Sequence, residues 1–205
     1  FHRVIDDFVI QGGDPTGQGN GGSPLGDFDD QFHVDLQHNR TGILSMAKTD
    51  DDTNDSQFFV TEGPTRHLDS NHSIFGQLIE GFHVLDAITE VPTDSGDRPL
   101  SNIVMESVDI FADQENGLLM LEAAEGLSDE ANVTVTVTDA DGNSFERTFH
   151  VTVQPDTTDG QPFLSDIPVI EGAVNTPVNF QLEANDVEGD TVFFDAVQVG
   201  SVDFT

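Results

Sequence analysis

Apolar and polar positions alternate in short bursts over the first 111 residues. In "FHRVI", Phe1, Arg3 and Ile5 fall on one side of an extended chain and His2 and Val4 on the other. Asp6 and Asp7 mark a turn, and "FVIQGG" resumes the extended pattern. If this strand pairs back on the first, Phe8 and Gln11 come near Arg3. "GILSMA", "SQFFVTE" and "HSIFGQLI" read as further strands, and "NIVMESVDIF" as a closing one. "GGDPTGQGNGGSPLG" is too rich in glycine for either period and reads as a loop. The period changes to helical once: "EGFHVLDAITEV" places Phe82, Leu85, Ile88 and Thr89 on one face of a short amphipathic helix.

Beyond Phe111 the helical signal fades. Val133, Val135 and Val137 alternate into a "DADGN" turn, and Phe145, Phe149, Val151 and Val153 alternate out of it, which predicts a hairpin. The Pro, Gly, Asp and Thr that follow predict a linker over 155–160. This organisation gives a first domain over 1–111, a small β module over 112–154, and the start of a further β module over 161–205. The last is too short for a closed sandwich of ~100 residues, and the chain begins mid-pattern without Met. Both ends are therefore expected to be cut from a longer protein.

Charge narrows the function classes. The chain has 39 Asp and Glu against 6 Lys and Arg, a formal net charge of −33. Phosphate recognition needs cations, so nucleic acid is not an expected partner, and neither is an anionic membrane surface. No apolar run approaches the ~18 residues of a membrane span, so membrane insertion is not expected either. With no Cys there is neither a disulfide framework nor thiol chemistry. The acid is spread along the chain as a solvated surface, which salt or divalent cations would screen. The oxygens of the "DADGN" and "NDVEGD" turns make Ca²⁺ a possible cofactor of the C-terminal modules; none is expected elsewhere. His2, His67 and His72 lack metal-ligand spacing, so no metal site is expected there.

Against that background Arg3 stands out. It shares a strand face with Phe1 and Ile5, can lie near Phe8 and Gln11, and has few carboxylates on that face. Such a guanidinium is expected to be a donor held for a ligand rather than half of a salt bridge; the plainer reading pairs it with Asp6 or Asp29.

The run "FHRVIDDFVIQGGD" resembles the signature of the cyclophilins, peptidyl-prolyl cis-trans isomerases. "GILSMA", "NDSQFFVT", "LDSNHSIFG" and "EGFHVLDAI" follow in the order and spacing of that family across residues 1–111. The resemblance implies a mainly β fold: an eight-stranded antiparallel barrel with two capping helices, of which two strands and one helix would precede Phe1. An open barrel of this kind is expected to fold poorly by itself. The resemblance further implies that Arg3 donates to the prolyl nitrogen, that Gln11 orients Arg3, and that Phe8, Val9, Phe59 and Leu68 form the proline slot. Ala47, Lys48 and Gln57 match the groove for preceding residues, and His2, Gly19, His67 and His72 match other wall positions. Proline-containing peptides and unfolded proteins are the partners so implied.

Three departures matter. His67 replaces a groove-lining Trp, which implies weak cyclosporin binding with catalysis retained. Lys48 replaces the usual Asn and is expected to add a cation at the groove rim. "TDDDTND" sets three carboxylates beside the groove, which should disfavour acidic peptides. Residues 112–154 resemble extracellular β modules of bacterial surface proteins, and 161–205 the start of a cadherin-like or immunoglobulin-like β-sandwich. They favour secretion, the periplasm or a bacterial cell surface, although the lack of Cys is equally compatible with the cytosol. A second function class also fits: a non-catalytic adhesion protein that grips Pro-containing peptides and carries Ca²⁺-binding repeats. The sequence sets no oligomeric state.

Overall fold

The β-branched and aromatic residues of the early bursts build a sheet. The computed structural model describes residues 1–113, 116–121, 123–124, 127–165, 167, 170–173 and 176–197. Strands β1 (Arg3–Ile5), β2 (Val9–Gly12), β3 (Ile43–Met46), β4 (Phe58–Thr61) and β5 (Ile74–Gln77) form one antiparallel sheet in the order β1-β2-β4-β3-β5. Helix α1 (Phe82–Thr89) packs on it. The β1–β2 turn uses Asp7 at φ 58°, a left-handed conformation that aspartate tolerates. At the end of β2 only glycine fits: Gly13 has φ +87°, and a Cβ there would lie 2.1 Å from the Ser56 carbonyl oxygen.

The pleat gives the sheet two different faces. Val4, Ile10 and Val60 lie on one, where Leu85 of α1 closes a core that Phe1, Leu44, Phe58, Leu78 and Ile88 extend. Each such buried aliphatic side chain contributes about 1.5–3 kcal/mol. The helix therefore presents Leu85 and Thr89 inward as the sequence predicts, while Phe82 at its first turn stays largely exposed.

The predicted closing strand does not form. Residues 102–111 make no ladder, and Val104, Val108, Ile110 and Phe111 are exposed. The edge it would join is already taken. Val4 N–H donates to the Asp97 carbonyl at 2.8 Å, so the turn around Asp94–Arg98 lies along β1 instead. Five strands rather than six make up the sheet.

The chain packs as two units, residues 1–108 with 160–205 and residues 109–159. In the second unit β6 (Glu130–Thr138) and β7 (Ser144–Thr152) form the predicted hairpin. Its turn is held by Asp139, whose carboxylate accepts N–H from Asp141 and Asn143 and the Asn143 amide. In the first unit, β8 (Phe163–Leu164) and β9 (Ala184–Asn185) pair over two residues each. No β-sandwich is present among the described residues; part of the module expected over 161–205, including 198–205, lies outside them. No described helix is long and apolar enough to cross a membrane.

Candidate active site

The face of the sheet opposite α1 carries the chemistry. Arg3 pairs with Gln11, Gln11 with Phe59, and Phe59 with Ser45, so one transverse row runs across β1, β2, β4 and β3. Directly paired residues project to the same side, and the core residues Val4, Ile10 and Val60 are their immediate neighbours on the other. One register thus fixes both the core and a guanidinium–amide–aromatic row. Val9, two residues before Gln11, shares that side and is 3% exposed, which makes it floor rather than wall.

Hydrogen bonds orient the two glutamines. Gln11 Nε2 donates to Gln57 Oε1 at 3.0 Å, and Gln57 Nε2 donates to the Gly19 and Gly21 carbonyls at 3.2 and 2.9 Å. Both amide orientations follow, and Gln11 Oε1 is left as an acceptor without a partner among the described residues. Ala47 N–H donates to the Gln57 carbonyl at 2.9 Å. The His2 ring lies against Gly19, where an added Cβ would come within 3.2 Å of it.

Aromatic contacts close the other side. Phe59 meets His72 edge-on at 5.5 Å, and His72 Nδ1 donates to the Met46 carbonyl at 2.9 Å. Burial pushes the His72 pKa down, so the neutral ring is favoured. Phe8 stacks on His67 at 5.6 Å with the rings 17° apart. His67 and Leu68 share the 3₁₀ turn Arg66–Leu68, and the Leu68 carbonyl accepts His72 N–H at 3.1 Å. Arg3, Gln11, Gln57, Gly19, His2, Ala47, Phe8, Phe59, His67, Leu68 and His72 thus form one linked set. What this set offers is a planar donor beside an apolar, aromatic slot.

The family model described as cyclophilin-type peptidyl-prolyl cis-trans isomerase matches residues 1–110, over half of the chain. The chain belongs to the cyclophilin family. Over 102 residues the cyclophilin domain is 56% identical to the peptidyl-prolyl cis-trans isomerase ppi1 of Schizosaccharomyces pombe, covering 49% of this chain and 66% of that protein. Over 105 residues it is 49% identical to the human peptidyl-prolyl cis-trans isomerase-like 1, covering 50% and 63%. A crystal structure of a cyclophilin-type peptidyl-prolyl cis-trans isomerase from Cryptosporidium parvum is 44% identical, with a TM-score of 0.48, covering 49% of this chain and 65% of that one. The chain spans just under two thirds of the length of these relatives.

Two features of the cyclophilin domain depart from the sequence expectations. Arg3 is not free of carboxylates: its Nε lies 3.6 Å from Asp97 Oδ2, with both side chains over 40% exposed. Asp97 is remote in sequence and is brought there by the turn that pairs with β1, which is why Asp6 and Asp29 are not the partners. The contact is long and solvated, hence weak.

Lys48 is not a rim cation. Its side chain is 4% exposed and its ammonium is bonded to Asp30, with Asp51 at 3.1 Å and the Phe32 ring centroid at 5.8 Å. Burial works against the charge, but the carboxylates outweigh it and hold the Lys48 pKa above its ordinary value. For Asp30 burial pushes upward, and Lys48, Asp52 N–H and the Asn54 amide outweigh it and hold the carboxyl below its ordinary range. The acidic loop is thereby drawn in: Asp51 reaches Lys48, and Asp30 and Asp52 exchange N–H bonds at 2.9 and 3.1 Å.

Sequence reasoning missed Asp14. One oxygen of its carboxylate accepts backbone N–H from Gln18, Gly19, Asn20 and Gly21 at 2.5–3.1 Å, and the other accepts Thr16 N–H at 2.6 Å. Burial pushes its pKa up, but together these donors outweigh it and hold the carboxyl far below the usual carboxylate range. Its position between "GG" and a glycine-rich loop was the available signal. A group whose folded pKa is depressed stabilises the loop above the unfolded value of 3.8 and stops doing so only as pH falls through the lower folded value. The Gly19 and Gly21 amide resonances are therefore expected to stay fixed as pH falls through 3.8 and to move only in stronger acid. Asp14→Ala should release the loop and loosen the grip of its carbonyls on Gln57, which the same Gly19 and Gly21 resonances would show by moving at neutral pH.

A second missed network lies behind Phe59. The His38 ring stacks on Phe59 at 5.8 Å, donates through Nδ1 to Asp69 Oδ1 at 2.9 Å, and places Nε2 3.0 Å from Ser45 Oγ. His38 and Ser45 are fully buried. The group is shielded from any substrate and serves as scaffold.

Proposed function

We propose that this chain accelerates cis–trans rotation of X–Pro bonds in peptides and folding proteins. Rotation about an amide has a barrier of ~18–20 kcal/mol because resonance is lost at the twisted geometry, and an X–Pro bond interconverts over tens to hundreds of seconds unaided. No covalent step is required. The enzyme must hold the twisted amide better than either planar form. At that geometry the prolyl nitrogen regains a lone pair and becomes an acceptor. Arg3 supplies the donor, Gln11 sits opposite it to orient the guanidinium, and Phe8, Phe59 and Leu68 surround the proline ring. Gln57, Ala47, His2, Gly19, His67 and His72 line the path of the flanking residues. Lys48 acts from beneath the groove.

The observation that carries this reading is the single transverse row of Arg3, Gln11 and Phe59 on the face of the sheet opposite α1. In a protease-coupled assay on an Ala-Pro peptide, the chain should accelerate the slow cis phase in proportion to enzyme concentration. A slow phase that stays at its uncatalysed rate at micromolar enzyme would overturn the activity.

The regions beyond the cyclophilin domain support a second part of the proposal, that the protein works outside the cytosol. The β6–β7 hairpin, the paired β8 and β9 and the net charge of −33 fit acidic β modules of the cadherin-like or immunoglobulin-like kind. Fractionation of the native producer should find the protein in the secreted, periplasmic or surface pool; a purely cytosolic pool would refute this part alone.

A further inference from the structure

Residues 160–165 and 183–188 touch the cyclophilin domain through Glu188 and Phe163, and both contacts lead on toward the groove. Glu188 Oε1 lies 3.8 Å from Arg66 Nη2, with the side chains only 14% and 18% exposed, and its other oxygen accepts Gly160 N–H at 3.2 Å. Arg66 Nε in turn donates to Asp69 Oδ2 at 2.6 Å. Asp69 Oδ1 accepts the His38 backbone N–H at 2.6 Å and its Nδ1–H at 2.9 Å, and the His38 ring lies flat on Phe59. Four side chains thus lead from Glu188 to the aromatic wall of the proline slot. Arg66 also opens the turn that carries His67 and Leu68.

The other contact runs toward Ala47. Phe163 in β8 meets Phe32 edge-on at 5.9 Å, and Phe32 lies against the Lys48 ammonium that holds the loop next to Ala47. Pairing of β8 with β9, continued by Ser165 N–H to the Glu183 carbonyl at 2.8 Å, ties the two contacts into one piece. Val187, adjacent to Glu188, shares a recess with Phe32, Leu36, Asp69 and His72.

We propose that residues 160–165 and 183–188 are a working part of the isomerase site: Glu188 and Phe163 are positioning residues that brace the Phe59 and Ala47 walls of the groove from behind. The proposal rests on the isomerase reading for its kinetic consequence but not for its structural one. A solvated ion pair by itself is worth little. This one is poorly solvated and continues into a chain of charge-assisted hydrogen bonds, where a change at one end redistributes the bonds along it. Without the Glu188 carboxylate, Arg66 loses one of its anionic partners and re-aims toward Asp69, so the acceptor that sets the plane of the His38 ring under Phe59 shifts. The substrate-binding walls shift while Arg3 and Gln11, on the other strands of the row, do not. The expected signature is therefore weaker binding rather than slower rotation.

The test uses the full chain with Glu188→Gln and, separately, Phe163→Leu, both mild enough to keep the fold. KM for a proline peptide should rise roughly three- to tenfold with kcat nearly unchanged. In Glu188→Gln the His38 Nδ1–H and Phe59 ring resonances should move, although residue 188 touches neither. A fall in melting temperature with KM and both sets of resonances unchanged would reduce these residues to a packing appendage and overturn the proposal. If the parent chain shows no turnover, the isomerase reading fails separately; the resonances then decide, moved ones supporting the brace and fixed ones refuting it.

Discussion

Arg3→Ala is expected to lower kcat/KM roughly 100- to 1000-fold, the usual cost of removing one preorganised donor from a site that stabilises a transition state. KM should change little, because the planar ground state offers the guanidinium no prolyl lone pair to bind. The melting temperature should barely move. Arg3 is over 40% exposed, and its 3.6 Å contact with Asp97 is a solvated pair of the sort that contributes at most about 1 kcal/mol. Arg3→Lys should rescue little, because an ammonium lacks the planar fork that Gln11 can align beside the slot. Turnover within about twofold of the parent in Arg3→Ala, by the protease-coupled assay, would sink the mechanism. Asp97→Asn serves as the control. It removes the competing carboxylate and should leave activity intact or raise it.

The largest stability effect is expected at Lys48. Lys48→Met leaves Asp30, 6% exposed, without its cation. Breaking a buried pair from one side costs about 3–5 kcal/mol, because the remaining charge is desolvated and unmatched. The loss should appear as a lower urea midpoint with an unchanged slope. Adding Asp30→Asn should restore much of it, since an amide still accepts from Asp52 N–H and carries no charge. The pH dependence has a definite sign. In the parent, the depressed Asp30 pKa contributes stability above 3.8 that is lost as pH falls through the folded value. The raised Lys48 pKa contributes stability below 10.5 that is lost only as pH rises through a still higher value. In Lys48→Met the unpaired Asp30 takes up a proton more readily when folded than when unfolded. The deficit should therefore shrink as the solution is acidified. A deficit that is constant across acid pH would refute the pairing.

These two positions also show what a sequence can and cannot carry. Arg3 and Gln11 were legible as neighbours because their spacing within two short strands fixes their register, and a register is a local matter plus one turn; Phe59, on a strand far along the chain, entered only through the family resemblance. The helix was legible through Leu85 and Thr89 for the same reason. Lys48 was misplaced because its position matched a groove residue while its partner, Asp30, lies 18 residues away across a loop with no periodicity. His38 and Asp69, 31 residues apart, were invisible on the same ground. The closing strand failed for a different reason. Its alternation is real, but a strand needs a free edge, and Asp97 had already taken the one beside Val4.

Asp14 has a consequence for how this region can vary. Its carboxylate is a hub, and the backbone amides of residues 16 and 18–21 are the spokes. Of the residues on the rim, only Gln18 and Asn20 can change identity with little effect: Thr16 Oγ1 also bonds the hub at 2.8 Å, Gly19 sits at φ +90°, and a Cβ on Gly21 would lie 2.2 Å from Asp14 Oδ1. The number of rim residues cannot change: one residue more or fewer moves every spoke off the hub and takes the carbonyls that grip Gln57 with it. Substitution is cheap at those two positions, and insertion or deletion is not.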